Sequence, residues 1–410
     1  MSVLIAILGL AFLVLIHEAG HFFTARAVGM KPRRFYIGFP PALVKTVRNG
    51  IEYGIGAIPL GGYVKIPGMH RPAPSDLDAY FGPALMHDPS FVGPVERLKR
   101  VVAEGDFAKA RRELVELDAT LQQAKLPAPA ARAAKRGRSE LADALGDDAY
   151  WRQRTWKRIA VIAAGPVTNI VFAIVILALV YMLGVPDGAT TRVHKVSPDS
   201  PAAHAGLRPG DRIVAINQQP TKSFKQVSKA IKSSKGKPVI VSVVRRGNYM
   251  ELPPEKTVLR NGYYIYGFQP AGIVYKHYDP GTALGYAAKD TWDVTAGIAS
   301  SLAKIVEGGQ GRKQVSSTVG IVDVSSQAVK TDYRDYLEIL ALISLSLALL
   351  NLLPLLPLDG GHIAFSLFEG IRGRSVRRAV YERVSVVGIA LVLLLFFVGL
   401  SNDIGRIGGG

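Results

Sequence analysis

Two histidines and a glutamate, His17-Glu18-Ala19-Gly20-His21, stand inside the first long apolar stretch of the chain. On a helix, residues four apart share a face, so both imidazoles can ligate one metal ion while Glu18 reaches a water beside it. Ionisable groups at membrane depth are costly to keep, and a cluster of them marks a functional site. The plainer reading is a chance match of three residue types, or two histidines packed in a helix bundle. A second group closes a later apolar run: Asn351-Leu352-Leu353-Pro354-Leu355-Leu356-Pro357-Leu358-Asp359-Gly360-Gly361-His362. Its prolines and glycines break a helix at membrane depth, and a lone Asp there needs a partner or a metal. Catalytic zinc takes three protein ligands and keeps one position open. His17 and His21 supply two; Asp359 is favoured over His362 as the third because it is acidic and follows the break directly. With no cysteine in the chain, thiolate ligands and nucleophiles are excluded. One bound Zn2+ would lower the pKa of water toward about 7. Glu18 would take that water's proton and pass it to a leaving amine. His70, His87, His194, His204 and His277 lack helical pairing or fall on the far side of the membrane, and are expected to be ordinary surface or structural histidines.

The elements that must hold these groups are membrane helices. The chain has 410 residues, 49% of them hydrophobic, with four separate apolar runs. The expected fold class is a polytopic α-helical membrane protein with four transmembrane helices, a membrane-associated β-hairpin or sheet, and one small α+β domain. The spans fall at about 2–26, 159–183, 336–353 and 384–400. Arg26, Lys31, Arg33 and Arg34 follow the first span, and Arg372, Arg374, Arg377, Arg378 and Arg383 precede the fourth. The positive-inside rule then puts the N-terminus outside and both halves of the site toward the cytoplasm. These flanking residues also account for much of the net charge of +18, so no nucleic-acid partner is expected. The N-terminus has no basic n-region and no clear cleavage site, so the first helix is expected to be retained.

Residues 1–70 comprise the first helix and its zinc motif, followed by aromatic, β-branched and glycine residues that predict short strands with a turn at Gly61-Gly62. Polar backbone can enter a bilayer only where protein or a water-filled cavity surrounds it. Such a hairpin is either an ordinary cytoplasmic one or a sheet edge presenting substrate to the metal. Residues 71–155 form a cytoplasmic insert with a helical hairpin broken at Gly105, and Lys125 to Arg138 is expected to be a linker. The second transmembrane helix occupies 156–184 and carries Gly165-Pro166 and Asn169, either a packing notch or part of the site. Residues 188–255 contain Pro209-Gly210-Asp211 between a short helical turn and a strand, and this stretch resembles a PDZ domain. An extracytoplasmic linker with an amphipathic helix fills 256–335, and 336–410 holds the third and fourth transmembrane helices with the third zinc ligand.

Taken together, His17-Glu18-Ala19-Gly20-His21, Asn351 with Leu358-Asp359-Gly360, Ile58 to Lys65, and Ala164-Gly165-Pro166-Val167-Thr168-Asn169 resemble the site-2 protease family of intramembrane zinc metalloproteases. The likeness is to the bacterial type with one PDZ domain that cleaves anti-sigma factors. It implies that His17, His21 and Asp359 bind zinc and that Glu18 is catalytic. It also implies that Asn351 holds the substrate backbone, and that the hairpin bearing Tyr53, Ile55, Gly61, Gly62 and Tyr63 clamps the substrate as a strand. The insert at 71–150 lies outside the resemblance.

The expected activity is hydrolysis of a peptide bond in or near the transmembrane segment of a single-span membrane protein, such as an anti-sigma factor or a signal-peptide remnant. The expected location is the bacterial inner membrane, with the PDZ domain outside, excluding substrates whose external part is bulky. Two readings from other classes remain: a membrane metal transporter or storage protein, and an inactive PDZ-bearing scaffold. The first leaves Glu18 idle; the second leaves the complete set of ligands idle.

Overall fold

The first apolar run is one helix, α1 (Ser2–Ala27), about 39 Å long at 1.5 Å per residue. Ala6, Leu13, His17, His21 and Ala25 are buried along one face, whereas Val3, Leu4, Ile7, Leu8 and Phe12 are exposed. A helix that exposes its largest apolar groups and buries its histidines has lipid on one side and protein on the other. The computed structural model describes the chain except residues 261, 307–317, 377 and 409–410. It divides into two units, Met1–Ile176 with Ala288–Gly410, and Leu177–Ala287.

In the first unit, α1 leads into a long hairpin of β1 (Arg34–Arg48) and β2 (Ile51–Lys65). The turn falls at Asn49-Gly50, both with positive φ (53° and 76°), rather than at Gly61-Gly62. Asn-Gly is the pair that adopts the two left-handed conformations of a tight hairpin turn at little cost. Gly61 and Gly62 lie inside β2 instead, where the strand folds back. The register shows it: residues 34–37 pair with 52–55 on one side and with 62–65 on the other. Gly62 to Lys65 thus form the far edge of this small sheet.

The insert comprises α2 (Pro74–Leu85), α3 (Val92–Glu104), α4 (Phe107–Gln123) and α5 (Ala128–Leu145). The expected break at Gly105 is present, a left-handed cap at the end of α3. The expected linker over 125–138 is instead mostly the start of α5. Ala130, Ala134, Gly137, Leu141 and Leu145 are buried at helical spacing, and Gly137 lies so close to Tyr80 of α2 that a Cβ there would collide. Leu77, Phe81, Phe91, Leu98 and Leu117 complete a core of the insert's own.

α6 (Thr155–Leu183) then crosses the 176/177 boundary. The second unit contains α7 (Pro201–His204), α8 (Phe224–Ser233) and a sheet ordered 219–220, 212–216, 241–245, 248–251. Val193, Leu207, Ile213, Val227, Ile231 and Val241 form its core. Residues expected to be linker beyond 255 belong to it: 268–270 pairs with 193–196, and 273–276 with 185–189.

α9 (Pro280–Val306) leads back toward the first unit's remaining helices: α10 (Thr318–Thr331), α11 (Tyr333–Asn351), α12 (Asp359–Arg372) and α13 (Arg378–Gly408). α10, within the stretch expected to be linker, packs along α1 and α11. Among the described residues, three helices are long and apolar enough to cross a membrane: Ser2–Ala27, Thr155–Leu183, and Val380–Gly405 within α13. The span expected at 336–353 is α11, whose opening turns carry Arg334, Asp335 and Glu338 and so leave it outside that group. The Tyr336 hydroxyl donates to the Ile5 carbonyl (3.1 Å) and Ser344 Oγ to the Asn169 carbonyl (2.9 Å), which fasten α11 to α1 and α6.

Candidate metal centre

The i, i+4 spacing on α1 aims both imidazoles at one point. His17 Nε2 and His21 Nε2 are 3.2 Å apart. Asp359 Oδ2 lies 3.2 Å from His17 Nε2 and 3.4 Å from His21 Nε2. Asp359 reaches them because it opens α12 just after the broken end of α11. Gly360 and Gly361 permit the turn; a Cβ on either would run into the backbone of Leu352 to Leu356. Among the described residues this is the one trio of His, Asp or Glu whose ligand atoms converge in this way.

These spacings fit a metal. Zinc bonds of about 2.0–2.1 Å in a tetrahedral arrangement place neighbouring ligand atoms about 3.3 Å apart. Asp359 Oδ2 is buried and has no hydrogen-bond partner, an orphan that a cation resolves. The His21 Nδ1–H donates to the Val161 carbonyl of α6 (2.8 Å), so its Nε2 keeps a lone pair toward the trio. Gly165, one turn further along α6, lies against both imidazoles; a Cβ there would collide with His21 Nε2 and come within 2.9 Å of His17 Cε1.

Glu18 stands beside the trio on the same helix. The Val64 amide of β2 donates to its carboxylate, and Gly62 lies so near that a Cβ would strike Glu18 Cγ. The edge of the hairpin and the glutamate are therefore in direct contact. A cavity of about 600 Å3 opens here, lined by the trio, Glu18, Gly62 to Ile66 and Asn351. Asp76 and Tyr80 of α2 with Glu140 and Leu141 of α5 form another part of its wall. The insert is held there by Lys65, which reaches Glu140 (2.9 Å) and Asp143 (2.8 Å), and by Arg33, which reaches Asp143 (2.7 Å) and Asp148 (2.9 Å).

The family model for peptidase family M50 matches residues 5–395. The chain belongs to that family. A Rhizobium meliloti (strain 1021) relative of the M50 chain is 30% identical over 96% of this chain and 94% of its own length. The Bacillus subtilis (strain 168) protein named regulator of sigma-W protease RasP is 28% identical, covering 96% of both chains. A Bacillus licheniformis protein named zinc metalloprotease RasP is 27% identical over 99% of both.

Of the other residues singled out in the M50 chain's sequence, Gly62, Tyr63 and Asn351 line the cavity. Gly61 precedes that edge with φ +152°. Tyr53 and Ile55 do not join them: they lie across residues 34–37 from the edge, and Tyr53 packs on Phe22 and Phe35. His362 lines the cavity outside the trio. His70 rests against Tyr381. Asp76, Tyr80 and Glu140 were not anticipated in the sequence, because nothing in their spacing connects the insert to a site formed by other segments.

Proposed function

We propose that the chain is a site-2-type zinc metalloprotease that cuts single-span membrane proteins within or near the bilayer. The observation that carries the reading is the trio of His17, His21 and Asp359 at tetrahedral spacing with Glu18 beside it. Bound there, zinc would supply Lewis acidity to the scissile carbonyl and to the attacking water. Glu18 accepts the water's proton on a carboxylate already oriented by the Val64 amide, then delivers it to the leaving amine. The edge from Gly62 to Lys65 holds an extended substrate by strand addition, which exposes carbonyls that a helix hides. Asn351, on the cavity wall, holds the substrate backbone from the other side.

We further read α11 as a fourth crossing. Its 19 residues span about 28 Å, close to a hydrocarbon core of about 30 Å. Its first turn touches the start of α1 at Ile5, and its end reaches Asn351 at the cavity. With basic residues beyond α1 and before α13, the site faces the cytoplasm of the inner membrane and the unit 177–287 lies outside. That unit, with its Pro209-Gly210-Asp211 turn and α8 packed on the sheet core, is read as a PDZ-like domain limiting which substrates enter. Anti-sigma factors are the proposed substrates, in keeping with the name of the sigma-W relative.

The test is Glu18→Gln beside wild type, measuring zinc content and cleavage of a model single-span substrate. Zinc retained and cleavage lost is the expected result. Undiminished cleavage by the variant overturns the assignment.

A further inference from the structure

We infer that Asn169 is a positioning residue for the metal: its side-chain carbonyl accepts the Nδ1 proton of His17 and so directs the His17 Nε2 lone pair at the ion. This rests on the zinc reading of the trio. Asn169 is completely buried within a membrane helix, where an amide needs partners. Its Nδ2 sits 3.4 Å from His17 Nδ1, while its Oδ1 is buried without any partner.

The two ends of an amide are assigned from the network they make. With the NH2 toward His17, Nδ1 must accept, and the ring proton moves to Nε2, where it points at His21 Nε2 and Asp359 and blocks ligation. Turned over, the amide offers Oδ1 to an Nδ1–H. The orphaned oxygen gains a donor, and Nε2 is freed for the metal. The Asn169 backbone carbonyl accepts from Ser344 Oγ of α11, which ties this turn of α6 to its neighbour.

The arrangement repeats what α6 does for the other ligand. Val161, Gly165 and Asn169 are spaced i, i+4, i+8 and share one face. The Val161 carbonyl fixes the tautomer of His21, the bare Gly165 leaves room for both rings, and Asn169 meets His17. A backbone carbonyl serves the first histidine; the second requires a side chain. Packing alone would be met by leucine, which is similar in size.

The experiment uses the full chain in nanodiscs, with zinc affinity read by competition against a chromophoric chelator. Asn169→Leu is expected to weaken zinc binding 10- to 100-fold, the usual effect of removing such a partner. Asn169→Asp, which keeps an acceptor and the shape, is expected to hold zinc at least as tightly as wild type. Wild-type affinity in the Leu variant overturns the inference. So does an Asp variant that folds but weakens zinc tenfold or more, and this arm decides the matter if the Leu variant does not fold. Failure of wild type to take up zinc would instead strike the reading of the trio itself.

Discussion

Arg158 and Glu369 form an ion pair at 2.7 Å with both side chains more than 90% buried. Arg158 lies in the first turn of α6, and Glu369 lies on α12, the helix whose first residue is Asp359. The other Glu369 oxygen accepts the Val376 amide, the guanidinium rests over the Tyr150 ring, and the Tyr150 hydroxyl meets Ser366 Oγ at 3.0 Å. The helix that meets both histidines and the helix that brings Asp359 beside them are joined at this point. Removing one member of such a pair strands a buried charge and costs about 3–5 kcal/mol, whereas replacing both by apolar groups is often neutral. Glu369→Leu is therefore expected to lower the urea midpoint in detergent sharply, and Arg158→Met with Glu369→Leu to recover most of it. Equal losses in the single and double variants would show that the cost does not come from a stranded buried charge.

The insert has a comparable brace. Asp143 is buried and receives both Lys65 of the hairpin and Arg33 at its base. Asp143→Ala takes one of two carboxylate partners from each of Lys65 and Arg33, which keep Glu140 and Asp148, and the lost charged hydrogen bonds are worth about 1–3 kcal/mol. Limited proteolysis should then cut within α2–α5 faster, and cleavage of substrate should fall while zinc content stays at the wild-type level. An insert that loosens without any change in cleavage would mean that its part of the cavity wall does not touch substrate.

Much of the site was legible because its signals are local. Two histidines at i, i+4 and an Asp behind two prolines are readable one segment at a time, and charge bias alone brings them to one side. What escaped depends on partners elsewhere in the chain. α5 looks like a linker because alanine, lysine and arginine dominate 125–138, yet Ala130, Ala134, Gly137, Leu141 and Leu145 carry a helical stripe of small contacts. Gly61-Gly62 suggests a hairpin turn, although Asn49-Gly50 is the stronger local signal. The two glycines in β2 have a tertiary reason, since Glu18 occupies the space of a Gly62 side chain.

In the unit 177–287, Asp211 meets Arg245 through two contacts of 2.7 Å and accepts the Arg208 amide at 2.8 Å. Burial alone would raise its carboxyl, but the Arg245 guanidinium and the Arg208 amide outweigh it and hold the group below the usual carboxylate range. A carboxyl with a depressed folded value adds stability above the unfolded value of about 3.9 and loses it as pH falls through the folded one. Hydrogen exchange across 193–245 should therefore rise as the pH drops below about 4, after correction for the intrinsic rate. Asp211→Asn should show high exchange already at neutral pH and a flatter acid response. A variant as protected as wild type at pH 7 would remove Asp211 from the account.

Gly62 and Gly165 separate the two duties of the site. A Cβ at Gly165 meets the imidazoles, and a Cβ at Gly62 meets the glutamate. Gly165→Ala should push the histidines off their common point and lower zinc content together with cleavage. Gly62→Ala should leave the trio intact while shifting either Glu18 or the strand edge. A displacement of about 1 Å in such a group can cost about 100-fold in rate, so cleavage should fall by about that factor with zinc at wild-type stoichiometry. The decisive measurement is zinc per chain set beside single-turnover cleavage for each variant. If Gly62→Ala loses metal as readily as Gly165→Ala, then the hairpin edge supports the ligands rather than Glu18 and the substrate, and strand addition at that edge loses its basis.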